Sequence, residues 1–160
     1  MLVAFFESIK YVGHFLPLAF LRIFMGYYYF NDAMTKYQGD FLIQPRLAAT
    51  VSEWLPSSVA PDWYKQFLEM TVIPHWQVFA YGMVALEFTI GISFLLGYLV
   101  RPVALLGVFL SLNYVMASGP ASVDLNKTFL AINLTMAWLG AGRCLGFDYF
   151  FFKRRRGIWW

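Results

Sequence analysis

Two ionisable side chains stand in the middle of long apolar stretches: Arg22, within LAFLRIFMG, and Glu87, within VALEFTIG. A charge at the centre of a hydrocarbon layer costs roughly 2.5–3.5 kcal/mol on insertion scales, so each must be neutralised inside the molecule or serve a ligand. Two amides, Asn113 and Asn133, sit at matching places in two further apolar stretches. At ~1.5 Å per helical residue, Arg22 lies about 12 Å from one face, Glu87 about 15–20 Å, and both amides about 18 Å. These depths predict one polar layer, one residue per helix, with an Arg22–Glu87 ion pair inside it. Such a layer has two uses. It pins helix register through hydrogen bonds, or it lines a pocket for a polar head group such as a quinone carbonyl, with Glu87 able to relay a proton.

Glycines accompany the layer. Gly26 follows Arg22 by four residues and Gly91 follows Glu87 by four, while Gly140 follows Asn133 by seven, with Gly142 just beyond. Small residues on one face let helices approach closely, so these four are expected as packing glycines.

Other chemistry is poorly supplied. His14 and His75 fall at opposite ends of the apolar stretches, and no His, Cys or carboxylate cluster has metal-ligand spacing. Cys144 is the sole cysteine, so no CxxC pair exists. No phosphate-binding loop or nucleophile elbow is present. Tyr27, Tyr28 and Tyr29 read as an aromatic belt. No residue is assigned a catalytic role, no metal is expected, and no cofactor is intrinsic. Whether the chain is an enzyme stays open; at most it is one subunit of an oxidoreductase.

The elements that must position the layer follow from composition. The 160 residues are 60% hydrophobic and 21% aromatic, with only 13% charged and a mean hydropathy of +0.58. Soluble domains carry about 25% charged residues, so the apolar excess here must face lipid. The expected fold is all-α: a polytopic membrane protein, one domain over 1–160, with transmembrane helices near 14–34, 76–100, 102–118 and 125–143. Asp124 is placed to cap the fourth. An outer loop of 35–75 contains two stretches of helical spacing, opened by Pro45 and Pro61, that read as short interfacial helices. They form either a cap over the bundle or a lid over a lateral opening.

Lys10, Arg101, Arg143 and the run Lys153, Arg154, Arg155 and Arg156 fall on one side of this topology. Lys36, Arg46, Lys65 and Lys127 fall on the other. The positive-inside rule then puts both termini in the cytoplasm, with 147–160 as a basic cytoplasmic tail held against anionic lipid. The net charge of +3 thus implies membrane lipids as partners and no nucleic acid.

Three groups of residues resemble the DoxX family, within the DoxD-like group of four-helix membrane proteins. Leu21, Arg22, Gly26, Phe30 and Lys36 are similar to its opening motif, with Ala33 where the family often has glycine. Glu87, Gly91, Gly97, Arg101 and Pro102 are similar to its second motif. Gly140, Ala141, Gly142, Arg143 and Asp148 are similar to its closing one. The resemblance implies a bundle in a bacterial or archaeal cytoplasmic membrane. Members of the family include a subunit of a thiosulfate:quinone oxidoreductase and proteins linked to redox homeostasis through partners.

Two functions are weighed. In the first, the chain is an auxiliary subunit of a redox or energy-converting complex, with Arg22, Glu87, Asn113 and Asn133 contacting quinone. In the second, it is a scaffold that stabilises a larger assembly of integral membrane subunits, without ligand or chemistry.

Overall fold

The computed structural model describes residues 13–154, and no strand occurs among them. Lys10, Arg155, Arg156 and the remainder of the basic tail lie outside the described residues. The helices are α1 (Leu16–Gln38), α2 (Arg46–Trp54), α3 (Asp62–Phe67), α4 (Trp76–Leu96), α5 (Val100–Ala117), α6 (Pro120–Leu139) and α7 (Asp148–Arg154). A π-helical turn, Leu68–Val72, extends α3.

Proline placement explains the boundaries. Pro17, Pro102 and Pro120 occupy first turns, where the missing N–H has no intrahelical partner to lose. Pro45 and Pro61 immediately precede α2 and α3. Because Pro120 opens α6, Asp124 lies inside that helix and pairs with Lys127 at 3.1 Å, so it is not the cap. At its other end α1 runs beyond the expected boundary and takes in Lys36. The Asp32–Lys36 pair, one turn apart at 2.8 Å, supports this last turn, where a cation also suits the helix dipole.

Helices α4 and α5 are long and apolar enough to cross a membrane. Helices α1 and α6 match them in length at 23 and 20 residues, but are diluted by Arg22, Asp32 and Lys36 in one and by Asp124 and Lys127 in the other. Packing is chiefly pairwise: α1 lies against α4 and α5 against α6, with a smaller contact between α4 and α5. The first pair crosses on glycine. A Cβ on Gly91 would stand 2.7 Å from the Phe30 nitrogen, and one on Gly26 would stand 2.8 Å from the Leu95 nitrogen. Backbone meets backbone there, as close helix packing in lipid requires.

Two apolar cores result. One, around Met25, Ile90, Phe94, Ala104 and Met136, fills the space among the four long helices. The other, around Leu47, Val51, Tyr64, Leu68 and Val84, seats the 39–75 loop on α4. Outward faces keep large apolar groups such as Phe24, Tyr81, Phe109 and Trp138, the last 83% exposed. Ridges of this kind on every long helix suit contact with lipid chains. The end bearing 97–100 and 140–148 is termed the corner end below, and the opposite one the loop end.

Candidate functional site

The four polar residues of the expected layer do not converge. Arg22 turns to the corner end and is fully buried there. Its Nη1 donates to Ala141 O at 3.0 Å and Cys144 O at 3.3 Å, and its Nη2 donates to Leu145 O at 2.8 Å. Glu87 turns the other way and meets the Lys36 ammonium, with Tyr114 Oη donating to its Oε1 at 3.0 Å. The Arg22–Glu87 ion pair is therefore absent. Side chains on a helix tilt toward its own N-terminus, and α1 and α4 run antiparallel, so similar depth at Cα becomes opposite direction at the tip.

The two amides separate as well. Asn133 Nδ2 donates to Tyr29 Oη at 2.7 Å and Ser111 Oγ at 3.0 Å, tying α6 to α1 and α5. Gly107 makes room for it, since a Cβ there would be 2.6 Å from Asn133 Oδ1. Tyr29 thus belongs to a buried polar contact, whereas Tyr27 and Tyr28 remain exposed. Asn113 instead faces the loop: Tyr64 Oη donates to its Oδ1 at 2.8 Å, and its Nδ2 donates to Phe109 O at 2.7 Å.

Two of the expected packing glycines have other duties. Gly140 ends α6 in the left-handed region at φ +65, and Arg101 Nε lies 2.5 Å from where its Cβ would be. Gly142 is pressed by the Asp148 carboxylate. That carboxylate is buried and accepts from the N–H groups of Leu99 (2.7 Å) and Val100 (3.0 Å), capping the start of α5. Burial pushes the Asp148 carboxyl above its usual range, and the Val100 and Leu99 N–H groups only partly offset this. Burial likewise pushes the Cys144 thiol up.

At the loop end a cavity of about 490 Å³ opens between the loop helices and α4–α5. Its walls are apolar and aromatic, with Phe67, Phe79 and Phe109 among them, and its polar groups are Lys36, Thr50, Tyr64, Asn113 and Tyr114, with the indole N–H of Trp54. Lys36 and Tyr114 back directly onto Glu87. Lys36 also holds Asp32, and Tyr114 Oη lies 3.2 Å from Met83 Sδ. A site of this volume, largely apolar with a few convergent polar groups, is what small-molecule pockets look like. Among the described residues, no group of three or more His, Cys, Asp or Glu is placed to hold a metal ion.

The DoxX family model matches residues 17–117. The chain belongs to the DoxX family. No curated protein and no solved structure matches it. With its apolar spans, this DoxX chain is a membrane protein. The matched DoxX region contains every polar residue of the cavity, whereas Asn133 and the 140–148 corner follow it. Sequence reading alone missed Lys36, Tyr64 and Tyr114 as site residues. For Lys36 a signal existed, since it follows Asp32 by four residues and stands in the family's opening motif. The tyrosines gave none, because an aromatic residue in an apolar stretch reads equally as lipid-facing.

Proposed function

We propose that this DoxX protein is a four-helix auxiliary subunit of a redox or energy-converting complex, and that it holds a quinone head group in the loop-end cavity. Helices α1, α4, α5 and α6 all cross the cytoplasmic membrane of a bacterium or archaeon. Both termini face the cytoplasm, and the partners are other integral membrane subunits. The observation that carries this reading is the cavity itself. Its aromatic walls suit a planar ring with an apolar tail, and the paired polar groups Lys36–Tyr114 and Tyr64–Asn113 are available to orient the ring oxygens. Arg22 and Asn133 serve helix register, since their hydrogen bonds go to the chain.

The test is solvent extraction of the gently purified protein, followed by titration with a short-chain quinone analogue. Trp54 in the cavity wall reports occupancy by fluorescence quenching. The expected result is co-purified isoprenoid quinone and saturable quenching that Tyr114→Phe weakens. A protein that retains no quinone and shows no saturable quenching overturns the proposal and favours the scaffold.

A further inference from the structure

The rim of the loop-end cavity is exposed on one side. Every lining residue from α1 and from the 39–75 loop is buried or half-buried except Phe67. The other exposed lining residues are Val78 and Gly82 on α4 and Phe109 on α5, with Val78 at 71% and Phe109 at 59%. Val78 and Gly82 stand four residues apart and share one face of α4. The loop therefore roofs the site at the loop end, and the opening lies sideways, along the seam of α4 and α5. That seam is also less closely packed than the α1–α4 and α5–α6 pairs.

Depth places this mouth in lipid. Both helices are long and apolar enough to cross a membrane. Counted from the loop end at ~1.5 Å per residue, Gly82 lies about 9 Å along α4 and Phe109 about 12 Å along α5. An opening at that depth on spanning helices meets acyl chains rather than water.

Gly82 marks the mouth. A mid-helix glycine is about 1 kcal/mol less favourable than alanine, and close helix packing is the usual reason for one in a span. Gly91 has that reason in Phe30, whereas a Cβ on Gly82 would meet nothing within 4 Å. What the missing side chain keeps clear at Gly82 is the edge of the cavity.

Resting on the quinone reading above, we infer that the ligand enters sideways from the bilayer, ring first, between α4 and α5, and leaves its apolar tail in lipid beside Gly82. A cavity of about 490 Å³ holds a ring but not a polyisoprenoid tail, which has to run out where the wall is open. Phe67, Val78 and Phe109 give that tail an apolar rim. The ligand class is thus a ring compound dissolved in the membrane, not one delivered through water.

The test uses the full chain in nanodiscs, with two readouts. In the first, a charged sulfonated maleimide is offered to Gly82→Cys and to Glu53→Cys, an exposed position on α2, while the native Cys144 is fully buried. The expected result is ready labelling of Glu53→Cys and little or none of Gly82→Cys. Similar labelling of both puts the mouth in water and overturns the inference. In the second, association of decylubiquinone is followed by stopped-flow quenching of Trp54 fluorescence. Gly82→Phe is expected to slow association about tenfold, whereas Gly82→Ala, with its methyl group in open space, leaves it unchanged. Unchanged association in Gly82→Phe overturns the inference and leaves the quinone site standing, entered by another way. No saturable quenching in the parent overturns the quinone reading itself. The labelling decides the matter even where Gly82→Phe fails to assemble.

Discussion

Tyr64 and Asn113 join the loop to a span: the Tyr64 hydroxyl, on α3, donates to Asn113 Oδ1, on α5, at 2.8 Å, and both residues line the cavity. The bond links α3 to α5 across the lining of the cavity. Tyr64→Phe keeps the ring in the loop core and removes only this link, at a cost of about 1 kcal/mol. The expected outcome is a slightly lower melting temperature in detergent and faster dissociation of a bound quinone analogue, read by stopped-flow fluorescence. Unchanged dissociation counts against the bond as a latch.

The α1–α4 crossing gives a sharper stability test. Gly91→Ala puts a methyl group 2.7 Å from the Phe30 nitrogen and 2.9 Å from its Cα, and backbone of this kind cannot step aside. Overpacking costs about 1–3 kcal/mol. Gly82 on the same helix has open space around its Cβ position, so Gly82→Ala is the control and melts at or slightly above the parent, as the better helix propensity of alanine requires. Equal melting temperatures for the two variants remove the crossing from the account.

Arg22 makes a third. Arg22→Met fills much of the same volume but takes the guanidinium donors away from the carbonyls of Ala141 and Cys144, which costs about 2–5 kcal/mol. Arg22→Lys recovers part of this, because an ammonium supplies donors without the planar fork. The ranking is checked by reversible unfolding in mixed micelles. A Met variant as stable as the parent shows that these carbonyls find other partners.

Asp148 adds a pH dependence with a definite sign. Its folded-state value lies above the unfolded value of about 3.9, because burial outweighs the two N–H contacts. The folded chain therefore holds this proton longer than the unfolded chain. The contribution to stability is complete below pH ~3.9 and declines as pH rises through the folded value. Asp148→Asn flattens that part of the stability profile. Asp148→Ala leaves the Leu99 and Val100 N–H groups buried and unmet, and lowers stability by about 2–4 kcal/mol at any pH.

The long helices were legible because apolar length, flanking proline and capping glycine are local signals. Gly26 and Gly91 were legible as contact points for the same reason: spacing alone places them on the face of Arg22 and Glu87. Which polar groups meet was not legible. It depends on the direction of side chains on antiparallel helices, and Arg22 and Glu87 diverge although their Cα depths agree. The cavity was hidden for a different reason. Its walls combine the 39–75 loop with α4 and α5, and nothing in the periodicity of the loop states which helices it will cover. Tyr64 and Tyr114 disclose themselves as polar only once Asn113 and Glu87 are beside them.

The Arg22 contacts also bear on biogenesis. The guanidinium enters with the first long helix, yet its acceptors lie 119 to 123 residues further along. On the proposed four-span reading, a nascent chain carries this cation at depth through most of translation, with its eventual carbonyl acceptors still unmade. Segments emerging last close the molecule. On that reading, a product cut short before residue 141 displays an unsatisfied arginine within the bilayer, a flaw that membrane quality-control proteases are suited to detect.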